Sequence, residues 1–510
     1  MYEQGAYDVL TRARSFVNSF HVTSRTPPEV LGIISSYLTE EDLFSASQVC
    51  QYWRSALISS STLWTRISCR RMPRTIASLK RCGSLPIQLR LEPNFSDAAL
   101  KSLLLHENKI VSLTVDHQHK VSGLHNLLMS SRQYLEQLHI YVPQGRGWGT
   151  REQMIHEVWQ DLPCLRNLFI SRSPCPIHQL AAPNLIHLAL EHTGYGHKTM
   201  IQAILDMLRR CPLLETLLLS FSDITLPVSP HEYFPVCLPH LRSIEVGAHE
   251  VRSGLITHLD FPKSVTAGLR GMRMSDLWGN IPSTVMATTN YVLRGIDIYR
   301  ITLSVVPNRL GGVDALVRFE GPRGSLEITT GGIHPTRLPD LFGPQGVLFS
   351  HQPRIEDVRE LHIIGRFLND SQELRPLHGA MPNVTSISFL NCSGAHMSEL
   401  LAPSYLLSPP FPNLEFVVIL GPESELEEVA WRMRDLGVRL KTLIIGREPG
   451  CFEHGRLKNY TMLEGLADDL WVGCPVQILE WEAGNEIANI WSRVMAPAQV
   501  SLRGNLIISV

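Results

Sequence analysis

Three short stretches carry side chains at spacings that chemistry could use. Residues 145–150, Gly-Arg-Gly-Trp-Gly-Thr, have the glycines of a phosphate-cradling loop. They follow Pro143, however, and lack the third correctly spaced glycine of a dinucleotide fingerprint, so they read as a surface loop. In residues 193–199, Thr-Gly-Tyr-Gly-His-Lys-Thr, His197 separates Gly196 from Lys198, and the adjacent Gly-Lys that wraps a phosphate is absent. His117 and His119 would point the same way on an extended strand. Beyond Asp116 no Cys, Asp or Glu cluster stands at ligand spacing, which makes them solvated histidines rather than a metal pair. There is no Gly-x-Ser-x-Gly elbow and no His-Glu-x-x-His helix, and nothing marks a reactive thiol. The expectation is a protein with no catalytic residues, no cofactor and no metal, which works by binding.

Composition narrows what it binds. Lys plus Arg number 46 against 48 Asp plus Glu, a net charge of -2, so there is no global positive field for non-specific nucleic-acid affinity. No apolar run approaches the roughly 18 residues of a membrane span, and MYEQGAYDVLTRAR lacks the apolar stretch of a signal peptide. The expected location is intracellular, in cytoplasm or nucleus. Ten cysteines without a CxxC pair are expected to be reduced.

The elements most able to hold a partner lie between Thr26 and Ile67. Thr26, Pro27, Pro28 and Glu29 read as a helix start with a threonine cap and a capping box. Val30, Ile33, Ile34, Tyr37 and Leu38 then follow the period of a helix burying one stripe. Thr39 can cap a second helix with Glu40, Glu41 and Asp42 in its first turn. That helix and its continuation present Leu43, Ala46, Val49, Cys50, Trp53 and Leu57, and a third segment ends with Leu63 and Trp64. Some forty residues bury too small a fraction of their surface to stand alone, so a partner is expected to cover Ile33, Ile34, Leu38, Leu43, Val49, Trp53 and Trp64.

Pro-x-Glu-Val-Leu from Pro27, Ile-x-x-Tyr-Leu, Asp-Leu, Ala-Ser-x-Val-Cys-x-x-Trp-Arg ending at Arg54, and Leu63-Trp64 together resemble an F-box. Thr26 stands where that family usually has leucine. The resemblance implies that the chain binds a Skp-type adaptor, and through it a cullin and RING ubiquitin ligase, using Pro27 and Arg54 besides the apolar face.

From about residue 85 an apolar-x-x-apolar-x-apolar pattern returns, as in Leu135, Leu138, Ile140; Leu165, Leu168, Ile170; and Leu185, Leu188, Leu190. Leu214, Leu217, Leu219; Leu241, Ile244, Val246; and Val358, Leu361, Ile363 continue it. Val384, Ile387, Phe389; Leu414, Val417, Ile419; Leu440, Leu443, Ile445; and Val476, Leu479, Trp481 follow. Helical stripes such as Met200, Ile201, Ile204, Met207 and Leu208 fall between the copies. Stacked strand-and-helix units share one core, which resembles a degenerate leucine-rich repeat. Asn94 and Cys392 match that family's ladder position, while most copies miss it. The whole plan is also similar to that of many basidiomycete F-box proteins.

The expected fold class is thus α/β: a small three-helix N-terminal F-box, then an irregular leucine-rich-repeat-like α/β solenoid with a parallel sheet. The expected domains are an N-terminal segment 1–25, an F-box 26–67, a connecting helix 68–84 and a repeat domain 85–510. Weaker copies (Ile256, Leu259, Phe261; Leu293, Ile296, Ile298) and a Gly- and Pro-rich stretch make 247–355 loop-rich. Residues flanking each middle position should face outward, namely Gln137, His139, Ser243, Glu245, Glu360, His362, Ser386 and Ser388. Phe416, Val418 and Ile444 break that polar rule, so they are expected to form an exposed patch that binds a protein target. The function expected is substrate recognition for a cullin-RING ligase, with an adaptor-binding scaffold that promotes no ubiquitination as the alternative.

Overall fold

In the computed structural model, the structure describes residues 26–92, 103–116, 124–141, 162–172, 179–193, 199–221, 224–225, 234–272, 283–294, 296–307, 313–333, 355–365, 377, 380–390, 392, 394–401, 410–420, 429, 433–446 and 466–473. The chain is mixed α/β, with helices at the start and mostly parallel strands thereafter. It divides into two compact units, 1–240 and 241–510.

In the first unit, helices α1 (Pro28–Ser35), α2 (Glu40–Ala46) and α3 (Gln51–Ser59) precede a 3-10 turn at Ser61–Trp64. Strand β1 (Arg66–Ser68) follows at once, then helix α4 (Met72–Cys82) and strand β2 (Ile87–Leu91). Strands β3 (Ile110–Asp116), β4 (Gln137–Tyr141), β5 (Asn167–Ser171), β6 (His187–Thr193) and β7 (Thr216–Phe221) continue the order, each parallel to the one before. Their register aligns Ile67, Leu89, Leu113, Leu138, Leu168, Leu188 and Leu217 in one buried row. Two copies of the pattern, centred on Leu89 and Leu113, went unread in the sequence, and β1 straddles the boundary that the sequence drew between the F-box, 26–67, and the connecting helix, 68–84.

The turn before a strand has its own signature. Pro-x-Leu or Pro-x-Val precedes the strands at Leu165, Leu185, Leu214, Leu241, Val384 and Leu414, all of which are buried. Where the middle residue is asparagine, its amide donates to a carbonyl of the preceding turn: Asn184 to Pro163 (2.7 Å), Asn383 to Glu356 (2.8 Å) and Asn413 to Pro382 (3.0 Å). Successive units are stapled at this turn, because a turn carbonyl on the rim has no strand partner of its own. The buried Cys392 thiol similarly donates to the Ile363 carbonyl at 3.3 Å. Asn94 lies outside the described residues.

The second unit departs from the sequence reading between 247 and 355. Strands β8 (Ser243–Gly247) and β9 (Thr266–Met272) pair in parallel, and β9 then pairs with β12 (Ser325–Ile333) rather than with the next strand in sequence. β10 (Arg300–Pro307), β11 (Val313–Glu320) and β12 form an antiparallel meander. Because β11 runs against both its neighbours, β10 and β12 keep the common direction, and the parallel order resumes as β10 pairs with β13 (Glu360–Ile364). The stretch expected to be loop thus holds two strands, joined by Gly321-Pro-Arg-Gly324 with a 2.9 Å hydrogen bond from Gly321 N–H to the Gly324 carbonyl. A Cβ on Gly321 would stand 2.8 Å from the Asp297 carbonyl oxygen, which is why glycine closes this turn. The inward residues of β10 are Ile301 and Leu303, so the copy expected at Leu293, Ile296 and Ile298 is out of register; Leu293 instead ends the helix Ser283–Leu293. Likewise Leu255–His258 is a 3-10 turn, and β9 takes the place of the copy expected at Leu259.

Beyond β13 come β14 (Ser386–Leu390), β15 (Phe416–Leu420), β16 (Leu440–Gly446) and β17 (Ala467–Gly473), each parallel to the last. β17 precedes the copy expected at Val476, Leu479 and Trp481, which lies outside the described residues.

The two units differ on the face opposite the aliphatic rows. In the first, alternate positions are open, as β2 illustrates by alternating buried and exposed residues. From β13 to β16 of the second both faces are covered: Val418 and Ile444 are 1% exposed, and His362, Ser388 and Thr442 are buried beside them. The exposed patch expected at Phe416, Val418 and Ile444 is therefore absent, and Phe416 is half-buried under the Lys441 ammonium. The outward positions expected at His362 and Ser388 are corrected in the same way. Alternation tells which residues share a face, but only tertiary contacts decide whether that face is covered.

One buried cluster follows. Arg300 Nε donates to Glu360 at 2.7 Å and its Nη1 to Glu320 at 3.1 Å, next to His362. Burial, with the Arg300 charge nearby, pushes the His362 imidazole down to about 3 from 6.5. Above about pH 6.5 the ring is neutral in both folded and unfolded chain; as the pH falls from there toward 3, only the unfolded chain takes the proton, so stability is lost by up to about 1.4 kcal/mol per pH unit. Urea melts between pH 7 and 4 should show a shallower acid loss for His362→Leu than for the wild type. An identical slope would mean that the ring is accessible to protons.

Candidate adaptor-binding surface

Local chemistry sets the three N-terminal helices. α1 begins at Pro28 behind an extended Pro27, with no side-chain cap; Thr26, expected as the cap, instead accepts the Tyr52 hydroxyl proton on its carbonyl at 2.7 Å. Thr39 caps α2: its Oγ1 accepts the Asp42 N–H at 3.2 Å and donates to the Asp42 carboxylate at 2.7 Å. α3 starts at Cys50, whose sulfur accepts the Trp53 N–H at 3.5 Å.

The chain's own core takes the face of α1 opposite to the apolar stripe. Its buried residues are Leu31 and Ser35, one turn apart, while Val30, Ile33, Ile34 and Tyr37 are exposed by 42, 63, 50 and 86%. Val49, between α2 and α3, is 66% exposed. Pro27 is exposed, and Leu38 and Trp53 are half-buried. Leu43 and Trp64, expected at the partner surface, are core at 3 and 1%. Trp64 Nε1 donates to the Leu57 carbonyl at 2.8 Å, and its ring meets Phe44 edge-on at 5.1 Å. Arg54, also expected at the partner surface, is exposed, and its Nε donates to the Ser47 carbonyl at 3.1 Å, at the C-terminal end of α2 where a cation is favoured.

Cover for the core comes from the chain itself. The Arg81 guanidinium of α4 lies 4.2 Å over the Trp64 ring and 5.2 Å from the Phe44 centroid, and Arg74 lies 5.3 Å from Phe44. Glu40 links α2 to the strand that follows: its carboxylate accepts the Ser68 N–H at 2.7 Å and the Ser78 hydroxyl at 3.2 Å. Burial raises the Glu40 carboxyl above its ordinary value, outweighing both hydrogen bonds. The charged form thus costs stability as the pH rises past that value. Glu40→Gln keeps an acceptor for Ser68 and should melt no lower than wild type at pH 7, the difference vanishing in acid where the wild-type group is protonated; Glu40→Ala should melt lower, by roughly 1–3 kcal/mol for the abandoned donors. Calorimetry of both variants at pH 7 and 4 checks this, and a Gln variant as weak as the Ala variant would contradict it.

The larger apolar side chains that these helices leave exposed are Val30, Ile33, Ile34 and Tyr37, a stripe along and just beyond α1, with Val49 before α3 and Ile58 on it. Residues 24–70 match the F-box-like family model. The chain carries an F-box-like domain. None of the curated proteins matches the chain. F-box domains generally bind Skp-type adaptors, and the stripe is apolar surface of this one that is open to a partner. Each of its larger side chains offers about 1.5–3 kcal/mol on full burial.

Residues 145–150, 194–198, His117 and His119 lie outside the described residues, and Asp116 is engaged by Arg90 at 2.6 Å. Among the described residues no group of three His, Cys, Asp or Glu could hold a metal ion, no helix is long and apolar enough to cross a membrane, and the cysteines are free.

Proposed function

We propose that the chain is the substrate-recognition subunit of a cullin-RING ubiquitin ligase. The F-box-like region, residues 26–67, holds a Skp-type adaptor and through it a cullin, and residues 85–510 hold a protein target, with 68–84 joining them behind an N-terminal segment 1–25. We take the second part to be a leucine-rich-repeat-like solenoid, on the strength of its registered aliphatic rows and the asparagine staples between turns. The subunit itself is non-catalytic: holding target and charged conjugating enzyme together raises the effective concentration of target lysines. The observation that carries this reading is the exposed stripe Val30, Ile33, Ile34, Tyr37 and Val49 within the matched residues.

The test is co-purification. The tagged protein should elute with both Skp-type adaptor and cullin. Adaptor without cullin would favour a scaffold that promotes no ubiquitination, and neither would end the proposal.

A further inference from the structure

Val418 and Ile444 of the expected target patch are buried, but the reasoning behind it applies to the face of the first unit that is open. There the register sets the outward residues of β2 to β7 in rows. One row is hydrogen-bonding: Gln88, Ser112, Gln137, Asn167, His187 and Thr216. The next row toward the strand ends begins with Arg90 and Thr114 and turns apolar: the His139 ring meets Phe169 edge-on at 5.9 Å, and Ala189 and Leu218 continue it on β6 and β7. Phe169, Ala189 and Leu218 are half-buried and so still reachable, whereas Val418 and Ile444 are not. Beyond the stripe stand Tyr141, Glu191 and Ser220. An apolar centre between polar rims is the anatomy of a protein-recognition surface.

Charge narrows the occupant. Arg90 is paired with Asp116 at 2.6 Å, and the Arg172 guanidinium is laid over the Tyr141 ring at 5.9 Å. The carboxylate on β6, Glu191, lies two residues beyond Ala189 on the same face, about 6.6 Å along the strand. A phosphorylated or acidic segment seated on the stripe would meet the like charge of Glu191.

We infer that Phe169, Ala189 and Leu218 form the docking stripe for an unphosphorylated protein segment that seats an apolar side chain there and sets a lysine or arginine against Glu191. This rests on the reading of the chain as a target receptor and names what the receptor takes.

The test uses the full chain purified with a Skp-type adaptor and a displayed library of random twelve-residue peptides. Selected peptides should pair an aromatic or large aliphatic residue with a basic one, and should lose at least tenfold in affinity on Ala189→Arg, which places a long cation in the stripe. Glu191→Lys should turn the selection from basic to acidic peptides. Adaptor pull-down should be unchanged for both variants, which separates this surface from the F-box-like region: loss of adaptor binding by the wild type would remove the ligase reading and leave the peptide result standing. Peptides that bind Ala189→Arg as well as wild type, a library that yields no Ala189-dependent binder, or selection of phosphopeptides over their unmodified forms would overturn the inference. So would a concentration-dependent dimer in sedimentation that Ala189→Arg abolishes, since the stripe would then serve a second copy of the chain.

Discussion

A protein carrying Ile33→Gln with Ile34→Gln should melt where the wild type melts and fail to bring down a Skp-type adaptor. Both side chains are at least half exposed at the end of α1, and glutamine has at least the helix propensity of isoleucine, so the fold should change by no more than about 0.5 kcal/mol. At an interface the same change strands two amides against apolar surface, costing about 2 kcal/mol or more, some thirtyfold in affinity. Trp64→Ala is the contrast. Its ring is 1% exposed, with Phe44 at its edge and Arg81 across its face, so truncation should cost ~3–5 kcal/mol of stability and lower adaptor binding only through unfolding. Calorimetry and pull-down on the same samples decide it. Undiminished adaptor capture by the double glutamine variant would remove the stripe from the interface.

Leu217→Asp should unfold the first unit, and Thr216→Asp should leave it folded. Leu217 sits beside Leu188 in the buried row at 2% exposure, where a carboxylate would have neither water nor a counter-ion, a cost of several kcal/mol against a typical total of about 5–15. Thr216 faces the other way, with its hydroxyl 2.7 Å from His187 Nδ1, and an aspartate there offers that ring an acceptor in place of the hydroxyl. Far-UV circular dichroism on melting the pair gives the answer, and equal losses would mean that the strand register is wrong.

The parts of the fold that were legible in the sequence are those fixed by local periodicity. Leu138, Leu168, Leu188 and Leu217 share a row because a strand alternates and parallel strands pair in register, and both facts act within a few residues. The period of α1 does not say what covers its stripe, for the complementary reason: Val30, Ile33, Ile34, Tyr37 and Leu38 satisfy it whether they meet this chain or another. Leu31 and Ser35, which the fold buries, make a weaker signal than the stripe left for a partner. Trp64 and Leu43 could not be sorted from Val49 by type, since the cover that decides between them is α4, outside the motif. The meander was hidden by its glycines, although Gly-Pro-Arg-Gly between Val313–Glu320 and Ser325–Ile333 is a hairpin signal. Val418 and Ile444 failed because coverage of the second face is a property of the tertiary structure.

The strand Arg66–Ser68 begins two residues after Trp64 and pairs with Gln88–Arg90, so the F-box-like helices and the sheet share a backbone ladder instead of a tether. Glu40 and Arg81 clamp the same joint from two sides. A joint of this kind has no swivel. If the open sheet face carries a target, the segment it grips is held at one bearing from the adaptor, and the lysines presented for modification are chosen by the target's own reach from that anchor. Lengthening the chain between Trp64 and Arg66 would then scatter that choice before it weakened either grip.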